Sequence, residues 1–394
     1  MALPFLKNTR INIGPTIFFM LLFTPLWMYL GWYLTPKRQL VVAIVDKTVL
    51  SKKGQEHISL HWVLNHEKFT KNKKSLYKID RDYFGFFPEK DKGFKLMGLE
   101  RFNNDELNDL SRASDVAYIA DAYGIYKNDW LKQGDDKEIS KVIYGGLSKQ
   151  DVYFLQQMKD KHKLVLAEFN CLGSPTDEHT RREFENTFGV FWSGWIGRYF
   201  DSFDTATNKE IPKWLVKNYI DQHEGKWPFW RSGIVFINAD NKIVILENKT
   251  HLNNSLPFIQ ATSEGMNHYG LPEKIKYPFW FDIIDVDSSY NHVMAKFKLE
   301  VNANGAEILR ENNIPIQFPA VTVHMASDYR FFYFSGDFCD NPIDLTSSYM
   351  KGISYFKWFL YNRSDPQERK SFFWTFYRPM VTTILNDYHK SLHH

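Results

Sequence analysis

The chain has 394 residues, which at about 150 residues per domain is enough for two or three domains. Its 49 Lys and Arg nearly cancel its 46 Asp and Glu, so the charge balance gives no electrostatic case for nucleic-acid binding. Its two cysteines exclude a disulfide-dense scaffold and an all-cysteine zinc site. The hydrophobic fraction of 44% is typical of a globular chain, whereas the aromatic fraction of 17% is high and predicts either an aromatic core or stacking surfaces.

The first feature along the chain is an uncharged apolar run over residues 11–34, flanked by Arg10 and Lys37. The run exceeds the roughly 20 residues that cross a bilayer core, and aromatic residues near its C-terminal end, among them Trp27 and Trp32, are typical of a membrane interface. A cleaved signal peptide and a buried core helix are the alternatives. Because no small-residue cleavage site follows the run, we predict an uncleaved single-pass anchor whose C-terminal body lies outside the cytoplasm.

Apolar runs and helix signals alternate over the next part of the chain. The runs at 40–45 and 116–120 are short and continuous, which is typical of strands buried on both faces. Residues 57–69 suit a helix, and Asn103 with Glu106 has the pattern of a capping box at the start of another helix. Strands that alternate with helices at this spacing indicate a parallel α/β sheet.

The same alternation continues up to residue 190. Ser148 predicts a capped helix over 149–161, and a strand follows at 163–169. Ser174, followed by a proline, is the predicted N-cap of the next helix. The predicted parallel sheet therefore gains one strand, and the α/β domain around it gains two helices.

Beyond residue 190 the pattern changes to paired strands. Residues 239–241 have the composition of a hairpin turn. Apolar and polar residues alternate over 291–301 as in a half-buried strand, and a turn is predicted at 302–305. Residues 371–388 are predicted to form a terminal helix packed on the body. The predicted domains are a tail and anchor at 1–36, an α/β domain at 37–204, a β-rich insertion or second lobe at 205–325, and a last sheet strand with a C-terminal helical region at 326–394.

The turn at Gly145-Gly146, the helix after it and the apolar strand that runs into residues 169–173 (FNCLG) resemble the class I glutamine amidotransferase-like superfamily. That group includes ThuA-like proteins and the trimerisation-type domains of β-galactosidases. The resemblance covers residues 40–200 and the strand near 330, and it implies a parallel, flavodoxin-like sheet. In the amidotransferases the turn is Gly-x-Cys-x-Gly, so Cys171 matches and Phe169 replaces the first glycine.

Four of the predicted strands end in or near a carboxylate. Ligands bind at the carboxyl ends of the strands in open α/β sheets, so we predict an acidic edge that supplies the general acid and base for glycoside hydrolysis, a reaction that needs two carboxyl groups flanking the bond. The alternative is that each acid caps a loop or a helix. The predicted catalytic residues are Asp46, Asp121, Glu168 and Asp337.

Aromatic and polar side chains follow the same strand ends. Aromatic faces stack on sugar rings and combine with carboxylates in carbohydrate sites, although an ordinary aromatic core is the alternative for so aromatic a chain. The predicted substrate-binding residues are Tyr123, Asn170, Trp192, Trp195 and Arg198.

The cysteines and histidines support weaker predictions. Cys171 is disfavoured as a nucleophile, because Phe169 is too bulky for a tight elbow. A disulfide between Cys171 and Cys339 is an alternative for an exported body. His57 and His61 are spaced for one helix face but lack the intervening Glu of a zinc protease, so we predict no metal. We predict no cofactor either, since there is no Gly-rich phosphate loop.

Together these features predict a membrane-anchored protein that acts on or binds cell-envelope or exported polysaccharide through an acidic, aromatic-lined cleft. The expected partners are the membrane, carbohydrate and other envelope proteins, with no nucleic acid. Two alternatives stay open, a non-catalytic scaffold or binding component of a membrane assembly and a Cys-dependent amidase. Whether the protein is an enzyme is left undecided by the sequence.

Overall fold

The secondary structure comes from a computed structural model that describes residues 22–132, 137–326, 328–362 and 364–393. The helices are α1 Thr24–Leu34, α2 Ile58–His66, α3 Asn104–Ala113, α4 Lys127–Leu131, α5 Lys149–Asp160, α6 Glu178–Phe188, α7 Lys213–Gln222, α8 Ser263–Tyr269, α9 Ala303–Glu311, and a C-terminal helix made of α10 Lys370–Phe372, a π-helical turn Phe373–Tyr377 and α11 Arg378–Ser391. The strands are β1 Arg38–Gln39, β2 Val42–Asp46, β3 Phe69–Thr70, β4 Phe84–Pro88, β5 Phe94–Leu96, β6 Val116–Asp121, β7 Ile125–Tyr126, β8 Val142–Tyr144, β9 Leu164–Glu168, β10 Val190–Phe200, β11 Gly233–Asn238, β12 Ile243–Glu247, β13 Phe258–Ala261, β14 Lys274–Lys276, β15 Phe281–Val286, β16 His292–Lys298, β17 Gln317–Met325 and β18 Arg330–Phe334.

Ten of these strands form a central mixed sheet in the order β14-β13-β16-β17-β18-β9-β6-β2-β4-β5. The middle strands, from β18 to β4, pair in parallel. The flanking strands pair antiparallel. The fold is therefore mixed α/β with a large central sheet, and the prediction of a purely parallel sheet is corrected at both flanks.

The side chains of the parallel strands alternate between two cores. Val42 and Ile44 pack in one core with residues of α2 and the C-terminal helix, whereas Ala43 and Val45 pack in another with residues of α3, α5 and α6. Because both faces are covered, these strands read in the sequence as continuous apolar runs.

A second, antiparallel sheet has the order β12-β11-β10-β15. Its long strand β10 pairs with β11 and with β15. Strand β15 also reaches the end of β18, where Phe281 forms a bridge with Gly336 and the Asp282 N–H donates to the Ser335 carbonyl at 2.6 Å. Residues 205–325 thus contribute strands to both sheets, since β13, β14, β16 and β17 extend the central one.

The predicted membrane anchor is not supported. In the part of the chain that the structure describes, no helix is long and apolar enough to cross a membrane. Residues 11–21 lie outside the described residues, and α1, at 11 residues, spans roughly 16 Å, about half of a bilayer core. Its end packs on the body through Trp32, which is 7% exposed and donates to the Asn65 carbonyl at 3.0 Å. The prediction of a single-pass membrane protein with an extracytoplasmic body is wrong on this finding.

Two local predictions also differ from the structure. The N-cap of α6 is Asp177, whose side chain accepts from the Thr180 N–H at 3.1 Å, so the helix begins later than Ser174 predicted. Asn302, predicted to open a turn, caps α9 by accepting from the Gly305 N–H at 3.0 Å. In both cases an Asx side chain satisfies a first-turn N–H that has no partner within the helix.

Candidate functional site

The predicted carboxylates lie at one edge of the central sheet. Asp46, at the end of β2, is the register partner of Asp121, at the end of β6. Glu168, at the end of β9, is the register partner of Phe334, the last residue of β18. Asp337 follows closely after that strand. Parallel strands end at the same edge, so the local pattern of a strand followed by an acid brings all four side chains there.

Asp46 is completely buried and held in a fixed orientation. Its Oδ1 accepts from the Thr48 N–H at 2.9 Å, and its Oδ2 forms a short contact with His57 Nδ1. The other ring nitrogen of His57 lies 3.0 Å from the Ile79 carbonyl oxygen. Both nitrogens of His57 therefore lie next to oxygen atoms, and the ring holds the Asp46 carboxyl group in place.

Asp121 is also buried, and the pKa of its carboxyl group is shifted. It is 4% exposed, and its Oδ1 accepts from the Tyr123 N–H at 2.7 Å. Burial, followed by the negative charge of Asp46, raises the pKa of Asp121 to about 8. A carboxyl group with this pKa keeps its proton at neutral pH and can donate it.

Glu168 is locked inside the protein. The side chain is completely buried, one oxygen accepts from the Tyr118 hydroxyl through a short contact, and the other accepts from the Cys339 N–H at 2.8 Å. Burial raises the pKa of Glu168 well above its ordinary range. These contacts connect β9 to the segment after β18. Glu168 therefore has a structural role, although it lies at the predicted edge.

Asp337 is close to charged groups that the sequence analysis did not identify. Burial, and then the charge of Asp340, raises the pKa of Asp337 well above its ordinary range. Arg369 holds Asp340, since its Nη1 donates to the Asp340 carbonyl at 2.7 Å and lies 3.5 Å from Oδ2. Arg369 is remote in sequence and carries no motif, so no sequence signal could have found it.

Glu56 is a second carboxylate that sequence reasoning missed, although its position directly before His57 could have indicated it. Burial, and then the charge of Asp46, raises the pKa of Glu56 well above its ordinary range. Among the residues that the structure describes, Glu56 Oε2 has no hydrogen-bond partner. Glu56 thus adds a further acidic group beside Asp46.

The predicted binding residues divide between the edge and the core. Tyr123 is half-buried next to Asp121, and its ring lies 4.7 Å from that of Tyr126. Trp192 is also half-buried, and Arg181 lies 5.2 Å from the centre of its ring. Trp195 is 7% exposed and belongs to the larger core, as in the alternative of an ordinary aromatic core.

Asn170 and Arg198 lie in two different places. Asn170 directly follows β9 with a left-handed φ of 67°, a conformation that asparagine tolerates. Its N–H donates to the buried Asp282, whose pKa is raised by burial to about 7. Arg198 instead lines a cavity of about 640 Å³ together with Arg369, so this cavity adjoins the acidic edge through Arg369 and Asp340.

The cysteines are buried and unpaired. Cys171 and Cys339 are both free thiols, so the disulfide alternative is not realised. Burial raises the pKa of each thiol well above its ordinary range, which disfavours the thiolate that a nucleophile requires. Within the described ranges, no group of three or more His, Cys, Asp or Glu residues is arranged to hold a metal ion.

Comparisons with known proteins give no family assignment. No family model and no curated protein matches the chain. Similar solved structures include a β-galactosidase from Bacillus circulans sp. alkalophilus, a ThuA-like protein from Bacteroides uniformis ATCC 8492, and the carbohydrate deacetylase Agd3. Their sequence identities are 9%, 10% and 8%, and their TM-scores are 0.33, 0.33 and 0.31.

The extent of these matches differs between the three structures. They cover 81%, 77% and 76% of this chain and 33%, 84% and 29% of the other chains, in the same order. The chain therefore spans about a third of the β-galactosidase. Two of the three neighbours are carbohydrate-active enzymes and one is ThuA-like, but likenesses at these scores assign neither a family nor an activity. The amidotransferase-like resemblance stays a prediction.

Proposed function

We propose that the chain acts on a polysaccharide at the acidic edge of the central sheet, by acid–base hydrolysis of a glycosidic bond. The observation that carries this proposal is the pair Asp46 and Asp121, two carboxyl groups in register on neighbouring strands, of which Asp121 has its pKa raised to about 8. Glycosidases use such a pair, one carboxylic acid that protonates the leaving oxygen and one carboxylate that attacks or activates water.

In this proposal Asp121 is the acid and Asp46 is the carboxylate. Asp121 holds a proton up to a pH of about 8, so it can protonate the leaving-group oxygen at neutral pH. Asp46 contacts His57 and accepts from the Thr48 N–H, and both contacts hold its carboxyl group in one orientation. Tyr123 follows closely after the strand that ends at Asp121, and it is the residue that we expect to contact the sugar.

The second candidate is a non-catalytic binding component. Its support is the burial of the acids, since Asp46 and Glu168 are completely buried and both are fixed by hydrogen bonds. Buried and hydrogen-bonded carboxyl groups can stabilise a fold without taking part in a reaction. The two candidates differ in whether sugar bonds are broken.

The test is reducing-end release from a panel of neutral and acidic polysaccharides, by the wild type, Asp121→Asn and the control Asp240→Asn. Asp240 lies exposed in the β11–β12 turn, so the control should match the wild type. Loss of about 100-fold or more in Asp121→Asn, with retained folding, is expected for a removed general acid. Binding without release in every variant would favour the binding component, and neither binding nor release would overturn both candidates.

A further inference from the structure

The cavity beside the acidic edge is built around two arginines and one aromatic ring. It has a volume of about 640 Å³. The Arg369 guanidinium lies 3.6 Å from the centre of the Phe279 ring, and the Arg198 guanidinium lies 5.2 Å from the same centre. The side chains of Arg198 and Arg369 are only 15% and 18% exposed. Phe279 thus aligns two partly desolvated cations along one wall of the cavity.

Arg198 has donor capacity left for a ligand. One Nη donates to Glu210 through an ion pair. Its Nε is buried, and within the described part of the chain it has no hydrogen-bond partner. The side chain is 15% exposed and lines the cavity, so the guanidinium N–H groups that do not contact Glu210 can donate to a ligand there. Arginine recognises carboxylate and phosphate oxygens in a planar, two-pronged geometry, so the donor set indicates an oxyanion.

The charge of the lining disfavours a doubly charged anion. The cationic and acidic residues of the lining balance: Arg198, Arg369 and Lys370 against Glu210, Asp365 and Glu368. A phosphate dianion would be repelled by these three acids, whereas a single carboxylate would experience a weaker repulsion.

The remaining lining suits a sugar that carries this carboxylate. The carboxylates of Glu210 and Asp365 and the side-chain amides of Asn362 and Gln367 can exchange hydrogen bonds with hydroxyl groups. The ring of Phe279 and the apolar side chains of the lining provide surface for the ring carbons of a pyranose.

We propose that this cavity is a subsite for a carboxylate-bearing sugar of uronic-acid type, with Arg198 and Arg369 as the groups that bind the carboxylate. The inference rests on the proposed function and names its substrate class, an acidic polysaccharide. Arg369 connects the two regions, because it lines the cavity and also holds Asp340 next to Asp337. Asp121 and Asp46 do not line this cavity, so the acidic sugar would occupy a subsite apart from the bond that they cleave.

The test compares one oligosaccharide with and without its charge. Glucuronic-acid oligosaccharides and the same oligosaccharides after reduction of the carboxyl groups are titrated by calorimetry into the wild type, Arg198→Gln and Arg369→Gln. Arg310→Gln is the matched control, since Arg310 is an exposed arginine on α9 that also forms an ion pair with a glutamate. Inorganic phosphate is titrated in parallel. Circular dichroism and thermal unfolding establish that each variant is folded.

The expected result is that the wild type binds the acidic oligosaccharide at least about tenfold more tightly than the reduced one, as for a lost charge-assisted contact. Arg198→Gln and Arg369→Gln should each remove most of this preference, and Arg310→Gln should keep it. Equal binding of the two oligosaccharides would overturn the inference and leave the proposed function standing. Tighter binding of phosphate than of the acidic oligosaccharide would overturn the carboxylate assignment. Absence of binding by both would overturn the inference, whereas the reducing-end assay on the polysaccharide panel decides the proposed function.

Discussion

Replacing Asp121 by Asn should stabilise the protein increasingly as the pH rises, although it removes the proposed catalytic acid. The pKa of Asp121 is raised to about 8 by burial and by the charge of Asp46. A carboxyl group with a raised pKa contributes stability that is fully present below its unfolded pKa, about 4, and is lost as the pH rises towards 8. The loss is about 1.4 kcal/mol per pH unit, or about 3 kcal/mol between pH 5 and pH 7. Asparagine has no charge to desolvate and still offers Oδ1 to the Tyr123 N–H.

The measurement is the free energy of unfolding from urea titrations at pH 5, 6, 7 and 8. Other buried acids titrate in both proteins, so the difference between Asp121→Asn and the wild type reports Asp121 together with its effect on Glu56 and Asp337. The difference should increase by about 3 kcal/mol from pH 5 to pH 7 and level off above pH 8. Asp240→Asn, a substitution in an exposed turn, should show no such trend. A difference that stays flat or falls with rising pH would refute the reasoning.

Three further predictions concern buried groups away from the proposed acid pair. Glu168→Ala should lower the free energy of unfolding by about 3 kcal/mol or more in urea titrations, because it leaves buried donors unpaired. A smaller loss in Glu168→Gln would show that the lost hydrogen bonds cause the effect. Lys47→Ala should cost about 3–5 kcal/mol by the same assay, since it leaves the buried Asp151 without its cation; a loss below 1 kcal/mol would contradict this. Cys171 and Cys339 should both resist a thiol reagent in the native protein and both react in urea; rapid native labelling would revive the amidase alternative.

Local signals in the sequence were sufficient for much of the parallel part of the sheet. The capping box of Asn103 and Glu106 is present, as is that of Ser148, because each depends on side chains and N–H groups within one turn of helix. The β11–β12 hairpin also forms as its turn residues predict. Each of these features is fixed by neighbours in the chain, so a single sequence contains the information.

Features that depend on distant segments were not predictable. Strand β13 joins the central sheet by pairing with β16 across the intervening α8, β14 and β15, and an alternating strand looks the same wherever it pairs. Arg369 reaches Asp340 from the start of the C-terminal helical region, and nothing in its local sequence marks it. Arg198 was therefore predicted from the sequence as a binding residue, whereas Arg369, which lines the same cavity, was not.

The buried carboxyl groups of the acidic edge lower the free energy of unfolding. This is the strongest physical argument that they have a role beyond stability. Lys47 shows how the same fold compensates a buried acid, since its ammonium group directly contacts Asp151. Asp121 accepts from the uncharged donors of Tyr123 and Thr48, and the charge of Asp46 opposes its ionisation. Apolar side chains of similar size would remove this cost. Carboxyl groups kept together with perturbed pKa values are typical of sites where protons are transferred, which is the chemistry that Asp121→Asn would abolish while making the fold more stable.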